Sequence, residues 1–203
     1  MSSNSKTGIV NIALSHLGIS KELGNLETDR SLEASTGRRY FDTARDKVLR
    51  DFHWPFATRI EALGLVEEDP NTEWGFSYRY PVNCLRIERF LSGLRNDTLQ
   101  SKSPYKIVSD DTGLLIYSDL EDAEIEYTVR ATNIIIYPAD FVIAFSFYLA
   151  NLMAPRVTGG DQFKLGRIAL NNYEIEISKA QANAINEEQP DQQVDSEFIR
   201  DRS

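Results

Sequence analysis

Side chains that commonly perform catalysis or bind metals are few in this sequence of 203 residues. It contains two histidines, His16 and His53, and one cysteine, Cys84. The histidines are far apart in the sequence, and none of the three has a partner at the spacing that metal ligands or a catalytic pair need. We expect His16 to be a hydrogen-bonded histidine of a core or interface, His53 to bond the last carbonyls of a helix, and Cys84 to pack as a small hydrophobe.

Carboxylates are the other source of acid–base chemistry, and they cluster at residues 67–69, 110–111 and 121–126. Two carboxylates at a suitable separation serve as acid and base in glycoside hydrolases. Acidic turns and alternating strand acids are also typical of a solvated sheet surface, and we favour that interpretation. The chain lacks the G-x-S-x-G, G-x-x-x-x-G-K and G-x-G-x-x-G motifs of serine nucleophiles and nucleotide sites. We predict no catalytic, metal-binding or cofactor-binding residue, and therefore no enzyme and no cofactor.

One aromatic row is a candidate for ligand binding. Trp74, Phe76, Tyr78 and Tyr80 alternate with other residues, which places them on one face of a strand. Such a row packs a core or an interface, or it forms a platform on which sugars or bases stack. We favour packing.

Composition and charge exclude further classes of protein. Lys and Arg number 22 against 31 Asp and Glu, so the net charge is −9. Because proteins that grip DNA use clustered cations, tight binding to DNA is not expected. A single cysteine permits no intrachain disulfide. No apolar signal sequence follows the N-terminus, so the cytosol of the producing cell is the expected compartment.

The first part of the chain has helical periodicity. A helix is predicted near residues 5–19, with Gly18 as its stop signal. A longer helix is predicted over about residues 31–52; its cap would be Asp29 or Ser31, and Pro55 would end it. The apolar stripe of the second helix steps by three and four and consists of Ala34, Gly37, Phe41, Ala44 and Val48.

From about residue 60 to 130 the apolar period changes to two. The alternation predicts strands at residues 76–80, 85–90 and 123–130, and a hairpin of residues 105–108 and 113–117 joined by a turn at 110–113. We predict an antiparallel meander of four to six strands.

Two helices are predicted after Pro138. Residues 141–154 carry no charge and are apolar nearly all round; the run is closed by Pro155 and is too short to span a membrane. It needs cover on more than one side, and a neighbouring subunit could supply the second cover.

The last helix is expected to have Asp161 as its cap. Ile168 and Ile175 form a second stripe on this helix. Its main packing seam is Phe163, Gly166, Leu170, Tyr173, Ile177, Ala180 and Ala184.

These elements predict an α+β fold. Residues 1–59 and 134–186 would form an antiparallel four-helix bundle, with an antiparallel β-sheet domain inserted at residues 60–133. Residues 187–203 contain six acids and two bases, a net charge of −4, and we expect an extended tail that is disordered or ordered by a partner.

Several short motifs, taken in order, resemble one protein family. They run from Ile9-Val10-Asn11-x-Ala13-Leu14-x-x-Leu17-Gly18 through Ser31-x-x-Ala34, Tyr40, Arg45-Asp46-x-Val48-Leu49-Arg50 and Trp54-Pro55-Phe56-Ala57. They continue with Tyr78-Arg79-Tyr80-Pro81, Cys84-Leu85-Arg86-Ile87, Tyr137-Pro138-x-Asp140-Phe141 and Leu149-Ala150-x-Leu152-Met153-Ala154. Over residues 9–184 the chain is similar to the tail tubular protein A family, the head-to-tail adaptors of short-tailed bacteriophages.

The resemblance implies a structural virion protein, made in the host cytoplasm and located at the head–tail junction. Twelve copies would form a ring below the portal protein and above a nozzle or tail tube protein, with no membrane contact. DNA would pass through the lumen without specific binding, which suits an acidic chain because few cations would retain the phosphates. Family members have a helical bundle with an inserted β domain, and their C-terminal segments grip the portal.

Nine residues are expected to form the contacts of such an assembly. Those expected between subunits or within the bundle are Phe141, Phe145, Tyr148, Leu170, Tyr173 and Ile177. Those expected to bind the portal are Phe198, Ile199 and Arg200 in the tail. Two other functions stay open: a virion-associated cell-wall glycoside hydrolase, and a monomeric module that binds a ligand on the aromatic face at residues 74–80.

Overall fold

Helices enclose a run of strands in the computed structural model, which describes residues 5–91, 103–161 and 163–187. The helices are α1 (Lys6–His16), α2 (Leu32–Asp51), α3 (Ala139–Val157) and α4 (Leu165–Glu187). The strands are β1 (Thr58–Ala62), β2 (Leu65–Glu68), β3 (Phe76–Arg79), β4 (Cys84–Leu91), β5 (Tyr105–Asp110), β6 (Gly113–Ser118) and β7 (Glu124–Val129). Short 3-10 turns occur at Pro55–Ala57 and Ile134–Ile136. The described chain is α+β, with four helices and two small antiparallel sheets.

The two N-terminal helices begin at serine caps. The Ser5 hydroxyl accepts from Gly8 N (2.9 Å), and the Ser31 hydroxyl accepts from Ala34 N (3.3 Å). Each bond satisfies a backbone donor that has no partner within the helix. All five residues of the stripe predicted for α2 are buried, so its periodicity identified the core face correctly.

Helix α3 lies at the centre of the helical part and contacts α1, α2 and α4. The prediction that Pro155 closes this helix is wrong, because α3 continues to Val157. Proline removes one backbone donor, but here it falls within the last turn, and Thr158 N still donates to the Ala154 carbonyl (3.0 Å). Among residues 141–154 Ile143 alone is exposed. The chain's own helices therefore supply the cover that we expected from a neighbouring subunit.

Helix α4 begins later than predicted. Asp161 does act as a cap, since its carboxylate oxygens accept from Gly166 N (3.1 Å), but the helix starts only at Leu165. Phe163 precedes the helix and is 80% exposed, so it does not belong to the seam. Gly166, Tyr173 and Ala180 of the seam are buried, as predicted.

The strands form two sheets rather than one meander. Their orders are β1-β7-β4 and β2-β3-β6-β5, all antiparallel. The first sheet joins β1 to β7, the first and last strands in the chain, a pairing that local alternation does not reveal. Strands β1 and β2 were not predicted because they are short and almost wholly exposed, and so lack a buried face with period two.

Two hydrophobic cores result from this arrangement. One lies among the helices and the other between the sheets. The second core contains Ile125 and Tyr127 of β7 with Tyr78 of β3 and Ile116 of β6, so the two sheets pack face to face. Within the described residues, no helix is both long and apolar enough to cross a membrane.

Candidate assembly surfaces

An open groove of about 550 Å³ is lined by residues of α2, α3 and α4; we call it the helical groove. Its lining residues are Lys47, Asp51, Tyr148, Leu170, Tyr173, Glu174, Ile177, Ser178 and Gln181. Apolar and aromatic side chains are mixed with polar ones where the end of α2 meets the middle of α3 and α4. Such a composition is common in sites that bind other molecules.

Contacts between helices hold the aromatic side chains of the groove in place. The Tyr173 hydroxyl donates to Asp51 Oδ2 (2.6 Å), and Lys47 forms an ion pair with the same carboxylate one turn away on α2. The Tyr148 and Tyr173 ring centroids are 5.0 Å apart. Burial, followed by the hydrogen bond to Asp51, raises the pKa of Tyr173. The tyrosine is therefore a fixed, neutral donor that ties α4 to α2.

Four of the six residues predicted for assembly contacts line this groove, namely Tyr148, Leu170, Tyr173 and Ile177. The other two, Phe141 and Phe145, have no exposed surface. Phe141 packs edge-on against the rings of Trp54 and Tyr137, with centroids at 5.1 and 4.7 Å. In this fold the two phenylalanines belong to the core among the helices and leave no area for a second subunit.

Helix α4 has a second apolar side, which points away from the bundle. Ile168 and Ile175 are 52% and 51% exposed, and they are two helical turns apart. Ile175 and Ala182 line a second open depression of about 560 Å³ together with polar residues of α4. We call Ile168, Ile175 and Ala182 the outer stripe. One helix thus carries apolar side chains on both of its sides.

His53 lies in a charged cluster that the sequence did not indicate. Its Nδ1 is 3.4 Å from Glu88 Oε1 of β4, and its Nε2 is 3.5 Å from Glu126 Oε1 of β7. Arg86 donates to both oxygens of Glu88 (2.8 Å each), and Arg89 donates to Glu126 (2.5 Å). We call these five residues the junction cluster, because they connect the end of α2 to the sheet β1-β7-β4. The prediction that His53 bonds helix carbonyls is wrong: its Nε2 is 3.2 Å from the Thr58 hydroxyl, and carboxylates of two remote strands flank the ring.

The electrostatics of the junction cluster are those of a structural ion-pair network. The hydrogen bond and charge of Glu88 raise the pKa of His53, against the effect of burial. Burial acts to raise the pKa of Glu88, but hydrogen bonds from His53, Thr128 and Arg86 outweigh it and lower that pKa to about 2. A general acid needs a pKa near the working pH. Glu88 stays ionised and is unsuited to that role.

His16 is hydrogen-bonded, as predicted. Its Nε2 is 3.0 Å from the Ser146 hydroxyl, and its ring stacks on Phe147 with a centroid distance of 3.8 Å. Since the Ser146 hydroxyl donates to the Ile143 carbonyl (2.8 Å), we assign the proton of the neutral ring to Nε2. Burial lowers the pKa of His16.

Cys84 is half-buried rather than fully buried, with its sulfur 3.2 Å from the Tyr80 hydroxyl. Burial raises the pKa of the Cys84 thiol, so the thiol is protonated and unreactive near neutral pH. In the part of the chain that the structure describes, no three His, Cys, Asp or Glu residues are placed to hold a metal ion.

Three of the four residues of the aromatic row pack a core, as we favoured, whereas Trp74 precedes β3 and is not part of that core. Tyr78 is 1% exposed, and Phe76 and Tyr80 are partly buried against the same core between the sheets. Of the predicted acidic clusters, residues 67–69 are exposed, and Asp110 is bound by Thr112 and Arg79 in the hairpin turn. The predicted portal-binding residues Phe198, Ile199 and Arg200 lie outside the described residues.

Comparisons with known proteins add no relative. No protein-family model matches this chain, and a search of curated proteins finds no match.

Proposed function

We propose that this chain is a structural virion protein, a head-to-tail adaptor that forms a ring beneath the portal and joins the capsid to the tail. The observation that carries the proposal is the two-sided character of α4. The helical groove and the outer stripe are non-equivalent apolar surfaces of one subunit. Heterologous contacts, which join unlike surfaces of identical subunits, form a ring when the rotation between neighbouring subunits closes.

The sequence resemblance supplies the details of the proposal. Residues 1–59 and 134–186 form the antiparallel bundle of a ring of twelve copies, and residues 60–133 form the domain that meets a nozzle or tail tube protein. Phe198, Ile199 and Arg200 bind the portal. The negative charge of the chain lets DNA pass through the lumen without being retained.

The proposal is tested by mixing the full chain with its own portal protein and measuring the mass of the product. We expect a large stoichiometric ring complex. A chain that lacks residues 187–203 should lose portal binding. No association of the full chain with the portal would contradict the proposal, and intact binding by the shortened chain would contradict the role of the tail.

A charge introduced on α4 tests whether its outer stripe forms a subunit contact. Ile175→Glu should weaken the ring at least about tenfold, since it buries an unpaired carboxylate in the subunit contact. Ile60→Glu is the matched control, because Ile60 is similarly exposed, at 57%, but lies on β1. Equal assembly of both variants would show that the outer stripe forms no contact.

A further inference from the structure

The corner between α3 and α4 presents positive charge and apolar surface together. Arg156, Lys164 and Arg167 are exposed, and in the described part of the chain none of them forms an ion pair. Beside them are the exposed side chains of Phe163 and Ile168. We call these five residues the α3–α4 corner. It carries three cations on a chain whose net charge is −9.

Hydrogen bonds connect the described backbone of this corner. Gly160 N donates to the Pro155 carbonyl (2.8 Å), and Lys164 N donates to the Asp161 carbonyl (2.9 Å). The carboxylate of Asp161 is engaged by Gly166 N, and Asp161 N donates to the Thr158 hydroxyl (3.1 Å). A preorganised surface loses little entropy when a partner binds. These bonds favour a preorganised surface at the described residues of the corner.

The chain itself contains a segment of complementary chemistry. Residues 187–197 begin at the last residue of α4 and contain five acids, no Lys or Arg, and one larger apolar residue, Val194. We call them the acidic segment. They precede Phe198, so they are distinct from the residues assigned to the portal. Opposite charges across a contact select a partner and speed association.

The length of α4 bears on which copy the acidic segment reaches. From Ile168 to Glu187 the helix advances 19 residues, which is about 28 Å. Val194 is seven residues beyond Glu187, and a flexible segment of that length spans about 15 Å on average and at most about 25 Å when fully extended. To contact Ile168 of its own copy, the segment would have to run back along α4 at nearly full extension. The corner of another copy imposes no such requirement, which favours docking between copies.

We propose that the acidic segment of one copy docks on the α3–α4 corner of a second copy. Its carboxylates pair with Arg156, Lys164 and Arg167, and Val194 packs against Phe163 and Ile168. The contact joins unlike surfaces and so continues from copy to copy. The inference rests on the proposed function, in which copies of the chain lie side by side. It adds a second contact between them, beside the one made by the helical groove and the outer stripe.

Charge reversal in the full chain tests this contact. One variant carries Arg156→Glu, Lys164→Glu and Arg167→Glu; the other carries Asp191→Lys, Asp195→Lys and Glu197→Lys. We measure association of copies by sedimentation velocity over a concentration series at low salt. We expect each variant alone to associate at least about tenfold more weakly than the wild type, and an equimolar mixture to recover association, since it restores opposite charges at every contact.

A control variant has the same net charge as the variant that reverses Arg156, Lys164 and Arg167. Arg30→Glu, Arg39→Glu and Lys106→Glu reverse three exposed cations elsewhere and should leave association unchanged. Wild-type association should also fall as salt rises, because exposed charges are screened. The inference is overturned if the wild type stays monomeric at low salt, if either variant associates normally, or if the mixture recovers nothing.

Portal binding by the same proteins separates this inference from the proposed function. If the variants bind the portal but the charge swap has no effect, the docking contact is wrong and the adaptor proposal stands. If copies associate through the corner but none binds the portal, the adaptor proposal fails and the docking contact stands.

Discussion

At the scale of single residues, the two histidines occupy opposite electrostatic environments. His16 is half-buried, stacks on Phe147 and has a neutral hydroxyl partner, and partial burial lowers its pKa. His53 lies between two carboxylates, which raise its pKa. A protonated ring is therefore disfavoured at the first position and favoured at the second. The two residues link folding to pH with opposite signs.

Replacing each histidine by glutamine should reveal these signs. The stabilisation by His53 is fully present below pH 6.5 and is lost as the pH rises through its raised pKa. His53→Gln should therefore lower the free energy of unfolding by about 0.5–1 kcal/mol more at pH 6 than at pH 9. The stabilisation by His16 is present above pH 6.5 and is lost as the pH falls through its lowered pKa, so the loss in His16→Gln should be larger at pH 8 than at pH 5.

Urea denaturation of the three proteins across this pH range measures both effects. Because the chain has two histidines in total, each variant leaves a single one to titrate. The same sign of pH dependence in both variants would contradict the structure.

At the scale of elements, the sequence predicted the faces of helices better than their ends. The stripe of α2 is buried as predicted, because one-sided burial forces an apolar period that survives in the sequence. The ends of α3 and α4 were not predicted correctly. Helix α3 continues for two residues past Pro155, and the Asp161 carboxylate accepts from Gly166 N, five residues further along the chain. The junction cluster could not be predicted, because Glu88 and Glu126 come from strands that meet His53 only after the sheet has formed.

Gly166 should be essential to the packing of α4 on α3. A Cβ at this position would lie 2.9 Å from Ala154 Cβ and 3.3 Å from the carbonyl oxygen of Asn151. Because neither a backbone atom nor a Cβ can rotate away, Gly166→Ala should cost about 1–3 kcal/mol of stability, despite the better helix propensity of alanine.

Gly24→Ala is the control for this substitution, since a Cβ there meets nothing within 4 Å. Denaturant midpoints of both variants give the comparison. A stability of Gly166→Ala equal to that of the control would show that α3 and α4 are not in such close contact.

At the scale of the whole molecule, polar groups join the two hydrophobic cores. Arg130 Nε is 2.9 Å from Asp46 Oδ2, and Arg86 Nη1 donates to the Arg50 carbonyl (2.7 Å). Both bonds, like the junction cluster, connect α2 to the sheet β1-β7-β4. The helical core and the β core are therefore connected by a few charged contacts, beside the apolar contact of Leu85 of β4 with the helical core.

Removing these contacts should separate the unfolding of the two cores. In a Trp54→Phe background, Trp74 is the remaining tryptophan and reports on the β part, while far-UV circular dichroism reports mainly on the helices. The two signals should unfold together in the parent. Arg86→Ala with Arg130→Ala should separate the two transitions, since partly exposed ion pairs add about 1 kcal/mol or less each to a coupling that otherwise has few apolar contacts, among them that of Leu85.

Lys179→Ala with Lys21→Ala removes two exposed cations whose ion pairs do not connect the cores, and it should keep the transitions coincident. Coincident transitions in the arginine variant as well would show that the cores are coupled by other means.

The state of Cys84 makes this chain convenient for site-specific labelling. The only thiol of the sequence is half-buried and beside Tyr80, and maleimides and related reagents attack the exposed thiolate form. A cysteine introduced at the exposed position of Phe163 would react first, without removal of the native one. Fluorophores or spin labels placed there would follow the approach of one copy to another in real time.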